Sequence, residues 1–313
     1  VKRQGFLDWT QTITPRPGYP QTLNASLRSL AAIERDSVAR TATTAAGQTM
    51  IRVEGGTFSM GASRAESGRR ANEVIRPVTI ASPYMISAHE VTNKQFAEFR
   101  ANHNPGSEVH VALAADNNPV ANVTWADAVQ YCNWLSKKEG RTPVYKQEFG
   151  KWVPVYPFTD GYRLPTEAEW AWAIRFEERP VPRKFPWGKA WPPPKGSGNF
   201  ADLAARELVP SIIPKYDDGY ASTSPVGTFA ASSIGLYDGG GNVAEWVNDW
   251  YTVPTPGITE PEVDPTGPAR GNSHVIRGAS WRHAGITELR LSYRDYGTDP
   301  RVDVGFRIAR NVD

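Results

Sequence analysis

The sequence predicts a mixed fold of short helices and short strands joined by long irregular loops. Three observations carry this. The 313 residues include 27 glycines and 26 prolines, the composition of a chain that turns often. Eleven tryptophans supply large anchors able to pin such loops. Three short helices announce themselves by one device, a threonine followed three residues later by a side chain that can reach back to the helix start.

Taken in order, residues 1–27 alternate loosely. Phe6, Leu7, Trp9 and Ile13 precede the turn Pro15-Arg16-Pro17-Gly18, and Leu23, Ala25 and Leu27 follow it. That predicts two short strands, too few to fold alone, and so the tail of a preceding small β module. Residues 28–49 hold no aromatic residue and are rich in Ala, Thr, Ser and Arg, which is linker composition. A separate domain is expected over 50–313. Ile51 and Val53, then Gly55 to Gly61, predict a strand and a glycine-bounded turn, and Val74 to Met85 predicts further strand.

The helices follow. Thr92 precedes Gln95, Thr124 precedes Asp127, and Thr166 precedes Glu169. Phe96 and Phe99 mark the inner face of the first. Trp125, Ala128, Val129, Cys132 and Leu135 mark the second, and Gly140 ends it. Trp170, Ala173 and Ile174 mark the third, which is expected from Glu167 to about Phe176. Residues 180–230 read as loops, and Val275 to Ala309 alternates into short strands. No internal repeat is visible.

Composition excludes several functions. The 35 basic and 33 acidic residues nearly balance, and no block of like charge points to nucleic acid or an acidic membrane. No apolar run approaches the roughly 18 residues of a membrane span. The chain begins at Val1 without a signal-peptide pattern, which reads as a segment of something longer. Its single cysteine, Cys132, allows no internal disulfide and no thiolate pair. Lying on the apolar stripe of the second helix, it is expected to be an inert buried thiol.

One stretch organises the rest: Gly235 to Trp250. Gly239, Gly240 and Gly241 lie between Asp238 and Glu245, and Trp246 and Trp250 follow at helical spacing. Spacing alone favours a tight turn followed by a capped helix. The other reading is an oxygen-rich pocket for a hard cation, with glycines turning carbonyls toward one point.

The ordered pieces GGTFSMG (55–61), HEVTNKQFAEF (89–99), PVANVTWADAVQYCNWLS (119–136), YRLPTEAEWAWAIR (162–175), FPWG (185–188), GLYDGGGNVAEWVNDW (235–250), VIRGASW (275–281) and VGFRIA (304–309) resemble the formylglycine-generating enzyme family, also called sulfatase-modifying-factor domains. The resemblance implies an irregular α+β fold with a C-type-lectin-like core and little regular secondary structure. It also implies calcium at two places. One would use the side chains of Asp238 and Glu245 with the carbonyls of Gly241 and Val243. The other would use Asn199 and Asp218 with the carbonyls of Phe200 and Tyr220, where the alternative is two self-satisfied turns. Residues 1–27 resemble the end of a PEGA-type repeat, common in bacterial envelope proteins, which implies an extracytoplasmic setting.

The family's named activity oxidises a substrate cysteine using copper held by two cysteines. Those positions fall on His283 and Glu288, so a two-sulfur copper(I) site cannot form and formylglycine generation is not expected. Ser280, beside the metal in active members, is retained. Ala244 replaces a usual tryptophan, which is expected to open the floor of the site. Three roles stay open for His283 and Glu288. They could ligate iron, copper or zinc, with a second histidine drawn from His89, His103, His110 or His274. They could form a general base and its orienter. They could be polar residues of a binding cleft. The arginines around them (Arg277, Arg282, Arg290, Arg294, Arg301, Arg307) fit salt-bridge and loop-clamping roles. The favoured reading is a non-catalytic, calcium-stapled binding or structural module of the bacterial envelope. It would present a cleft around residues 280–294 to a peptide, protein or glycan. The alternative is a non-haem metal-dependent oxidoreductase with a redox metal near His283 and Glu288.

Overall fold

A computed structural model describes residues 4–5, 40–179 and 181–312. The strands and PEGA-like tail expected in 1–27 fall outside these residues except for Gln4 and Gly5, as do residues 28–39 of the linker expected over 28–49. Two compact units, residues 1–42 and 43–313, divide the chain, and the elements bearing on function lie in the second. In that unit Thr44 and Gln48 close a turn, with Thr44 N donating to Gln48 O at 2.9 Å and with Ala46 and Gln48 buried.

The elements are short, as glycine and proline dictate. They are β1 (Thr49–Val53), β2 (Gly56–Met60), β3 (Arg76–Ile80), β4 (Tyr84–Ser87), α1 (Asn93–Ala97), α2 (Trp125–Lys138), β5 (Tyr145–Glu148), β6 (Lys151–Pro154) and α3 (Glu167–Trp170). After a long loop region come β7 (Ala244–Trp250), β8 (Glu262–Val263), β9 (His274–Arg277), β10 (Arg294–Gly297), β11 (Val304–Phe306) and β12 (Ala309–Asn311). The α+β expectation with little regular secondary structure holds. All three threonine capping boxes form: Thr92 with Gln95, Thr124 with Asp127 and Thr166 with Glu169. The third helix does not stay α-helical to Phe176. Ala171–Phe176 is a π-helical turn, closed by Glu177 in the left-handed region at φ 49°.

Strand β7 is the axis of the fold. It pairs antiparallel with β9 and parallel with β11, and β10 closes the sheet beyond β9. The helix favoured by spacing after the glycines is therefore a strand. Residues four apart share a face in either conformation, so Trp246 and Trp250 could not discriminate. Burial on both faces of β7 is what a central strand requires. β4 pairs with β1 and β12, β3 with β2 and β8, and β5 with β6 as a separate hairpin.

Tryptophans anchor these sheets, and each buried indole finds an acceptor. Trp246 donates to Val123 O at 2.9 Å, Trp125 to Val247 O at 2.9 Å and Trp172 to Glu54 O at 2.7 Å. Trp170 and Trp172 join Phe58, Phe176, Val247 and Leu291 in the main apolar core. No helix among the described residues is long and apolar enough to cross a membrane.

Candidate functional site

The glycine turn leads into β7 through backbone that bulky residues avoid. Asp238 and Asn242 flank it at φ 55° and 61°, and Gly240 sits at φ 106°. A Cβ on Gly240 would lie 2.6 Å from Leu291 Cδ2, so the glycine is needed for close packing as well as for the turn. Asp238 Oδ2 accepts from Gly227 N at 2.7 Å. β7 then carries Glu245 beneath the turn. Its Oε2 accepts from Trp170 Nε1 and Arg307 Nε, and its Oε1 from Arg307 Nη2, all at 2.8 Å. Oε1 keeps a lone pair after that one bond.

A residue that spacing did not single out completes this cluster. Glu90, between β4 and α1, is buried, and both its carboxylate oxygens lack a hydrogen-bond partner. Burial raises its pKa well above the ordinary range, and the Asp238 charge adds to this against Arg307. Burial likewise pushes Asp238 up to about 6, reinforced by Glu245. Three carboxylates thus share one guanidinium. If all are ionised, the surplus is two negative charges, matched by one divalent cation.

The second oxygen set is adjacent. Asn199 is fully buried. Its Nδ2 donates to Ser222 O at 2.7 Å, while its Oδ1 has no partner. Asp218 accepts from Phe200 N at 2.9 Å and Tyr220 N at 3.0 Å. Burial raises Asp218 to about 7, and the neighbouring Asp202 carboxylate contributes. An orphaned buried acceptor beside two acids is the donor chemistry a hard cation takes. No group of three His, Cys, Asp or Glu side chains converges on one metal position among the described residues. A cation at either place would therefore draw on an amide oxygen or main-chain carbonyls as well.

Ser280, His283 and Glu288 lie together in the loop after β9. The backbone N–H of Ser280 donates to His283 Nδ1 at 3.0 Å, and Ser280 Oγ donates to Asp303 Oδ2 at 2.9 Å. Arg301 clamps Asp303 with bonds of 3.0 and 2.9 Å. Burial works against the Asp303 charge, but Arg301 outweighs it and holds this carboxyl below its usual range. Burial lowers the pKa of His283, so the ring is neutral at pH 7. Because Nδ1 accepts a backbone N–H, the proton of the neutral ring resides on Nε2. Ser280 is fully buried; its hydroxyl donates to a carboxylate and its N–H orients the histidine. Glu288 lies against Gly285 and its charge is felt at His283.

The remaining histidines are engaged elsewhere. His274 is sandwiched between Trp125 and Trp250 with centroids 3.7 Å away on each side. His89 stacks on Tyr237, His103 bonds Ala121 O, and His110 bonds Ser222. Cys132 is buried in α2, and burial raises its thiol pKa far above the usual value. Ala244 does not open the floor: it is buried, with its N–H on Asp303 O at 2.9 Å. Five of the six arginines clamp as expected, Arg277 and Arg294 on Glu167, Arg290 on Glu73, Arg301 on Asp303 and Arg307 on Glu245; Arg282 instead lies over the Trp281 ring.

Backbone bonds tie the three sets into one region. Asn242 N donates to Asn199 O at 3.0 Å, Trp281 N to Asn242 O at 2.8 Å, and Ala201 N to His283 O at 3.1 Å. Whatever steadies the two oxygen sets steadies the His283 loop.

Comparisons with known proteins agree with this architecture. The family described as sulfatase-modifying factor enzyme 1-like domain matches residues 35–312. The formylglycine-generating enzyme of Thermomonospora curvata is 27% identical over 315 residues, spanning 83% of this chain and 92% of its own. That of Streptomyces coelicolor is 30% identical over 287 residues, spanning 84% and 89%. Among solved structures, Treponema denticola variable protein 1 superposes with a TM-score of 0.64 at 26% identity, over 87% of this chain and 98% of its own.

Proposed function

The chain belongs to the sulfatase-modifying factor enzyme 1-like family, and from that premise we propose that it is a calcium-stapled binding module which has lost the family's oxidase chemistry. The carrying observation is Glu90, a carboxylate buried with both oxygens unpartnered beside Asp238 and Glu245. A buried charge without a partner is expensive, and a divalent cation removes that cost. Asn199 Oδ1 and the Asp218–Asp202 pair support a second ion by the same logic. Bound calcium would add fixed positive charge and cross-link loops, held at the first place by no more than two of Asp238, Glu245 and Glu90 and at the second by Asn199 and Asp218, with carbonyls of the two turns completing each set.

The single cysteine fits no two-thiolate copper site, since Cys132 is buried on α2. The alternative of a redox metal at His283 and Glu288 meets a tautomer problem: Nε2 of neutral His283 carries the proton and offers a donor in place of a lone pair. His283 N–H and Glu288 oxygen suit recognition of a polar group on a peptide, protein or glycan. The lectin-like, extracytoplasmic setting inferred from the sequence fits calcium sites of modest affinity, which need the calcium concentrations found outside the cytoplasm.

Metal content before and after mild chelation tests this, with Glu90→Gln and His283→Ala alongside. One or two equivalents of calcium, reduced in Glu90→Gln and unchanged in His283→Ala, are expected. A stoichiometric iron or copper ion lost in His283→Ala would overturn the reading in favour of an oxidoreductase.

A further inference from the structure

A second concavity lies apart from these loops. It is a groove of about 950 Å³ between the β5–β6 hairpin and residues 266–272. The hairpin turns one face toward it: the register sets Lys146 opposite Val153 and Glu148 opposite Lys151, and all four line the groove. Asn248, Trp250 and Tyr156 also line it. Asn248 is buried and locked, its Oδ1 accepting from Tyr145 OH at 3.0 Å and its Nδ2 donating to Tyr156 OH at 3.1 Å. Residues 266–272 add Thr266, Arg270 and Asn272.

Two features of this groove have no return within the fold. First, its charge is uneven. Lys146 pairs with Glu148 at 2.6 Å, but Lys151 and Arg270 make no ion pair among the described residues. Second, the hairpin tip is built against local preference. Phe149 and Gly150 form a two-residue turn with φ 50° and 76°, the sign pattern that favours Asn-Gly. Phenylalanine is strained there, and its ring is fully exposed. This holds an aromatic face, unstacked among the described residues, out at the end of the groove.

We propose that this groove binds an acidic polysaccharide, with Lys151 and Arg270 on its carboxylate or sulfate groups and a sugar ring stacked on Phe149. The hairpin offers the groove a face and not an edge, so a peptide strand has no ladder to join. The Asn272 amide and the hydroxyls of Thr266 and Tyr156, the last held in place by Asn248, match a ligand rich in ring hydroxyls, and the two cations without an ion pair match its acid groups.

Calorimetric titration of the full chain tests this with short hyaluronan oligosaccharides, dextran sulfate, neutral dextran and polyglutamate. Binding to hyaluronan, to dextran sulfate or to both is expected, at least tenfold tighter than to dextran and weakening as salt rises. The two probes separate carboxylate from sulfate recognition. Lys151→Gln with Arg270→Gln should weaken binding at least tenfold. Phe149→Asn separates binding from folding: it should raise the melting temperature by relieving the turn, yet lower affinity about tenfold. Binding to none of the probes, equal affinity for dextran, tighter binding to polyglutamate, or full affinity in Phe149→Asn would each overturn the proposal.

Discussion

Asp249 is buried, and its Oδ2 accepts the N–H of Glu167, the first residue of α3, at 2.8 Å. Burial raises its pKa to about 7, and the Glu167 charge adds to this. The sign follows from proton counts. Between an unfolded pKa near 3.8 and the folded value near 7, the folded chain keeps a proton that the unfolded chain releases. This group's contribution is therefore most favourable below about pH 4, declines as pH rises toward 7, and is flat above. Urea unfolding of Asp249→Asn should show a shallower fall in stability from pH 4 to 7 than the parent; identical slopes would assign the titration elsewhere. Glu90 argues a second case. Glu90→Gln should leave the melting temperature in chelator nearly unchanged, because burial already favours the uncharged acid there. It should cut the calcium-induced rise by half or more. An undiminished rise would place the ion away from Glu90. Asp238, Glu245, Asn199 and Asp218 stood out as candidate ligands through turn chemistry and family resemblance. Glu90 was not, because its neighbours Asp238, Glu245 and Arg307 lie far along the chain. Its only local signal is an acid two residues before the Thr92 capping box.

At the level of elements, the local devices were readable. The three capping boxes and the stripe of α2 formed as spacing dictates, since each uses contacts within a few residues. β7 was misread because its identity depends on partners about 30 and 60 residues later, β9 and β11. The ionic clamp that joins elements was half legible: the arginines stood out, but their acid did not. Glu167 opens α3, accepts two bonds from Arg294 at 2.5 and 2.9 Å, and lies 3.5 Å from Arg277, so one carboxylate ties α3 to β9 and β10. Burial opposes its charge, but Arg294 and Arg277 outweigh this and depress the pKa to about 2. Glu167→Ala would leave two buried guanidiniums facing no acid, at a cost of about 3–5 kcal/mol. Equilibrium urea unfolding reads that loss as a lower midpoint at unchanged slope; a loss under about 1 kcal/mol would mean the arginines find other acceptors.

Across the whole molecule, stability is uneven. Residues 181–230 contain no helix or strand, and no disulfide can tie them down because the chain has one cysteine. They are held by side chains and by bonds such as Ile213 N to Ala201 O at 2.8 Å and Leu203 N to Tyr216 O at 3.2 Å. Phe185, Phe200, Ile213 and Tyr216 pack with Ala279 and Leu289 of the His283 loop in a small apolar cluster distinct from the main core. A region so built opens before the sheets do, and an ion at Asn199 and Asp218 would bind only while it is closed. Removing calcium should therefore not melt the molecule uniformly. In chelator, hydrogen exchange should speed first in residues 196–222 and next in the His283 loop bonded to Ala201, while β7 and β9 stay protected. Calcium should restore protection in the same order. Equal loss across the sheets would show that the ions support global folding and not these loops. No change anywhere would show that calcium does not staple these loops, leaving Asn199 Oδ1 and the Glu90 carboxylate to be satisfied in some other way.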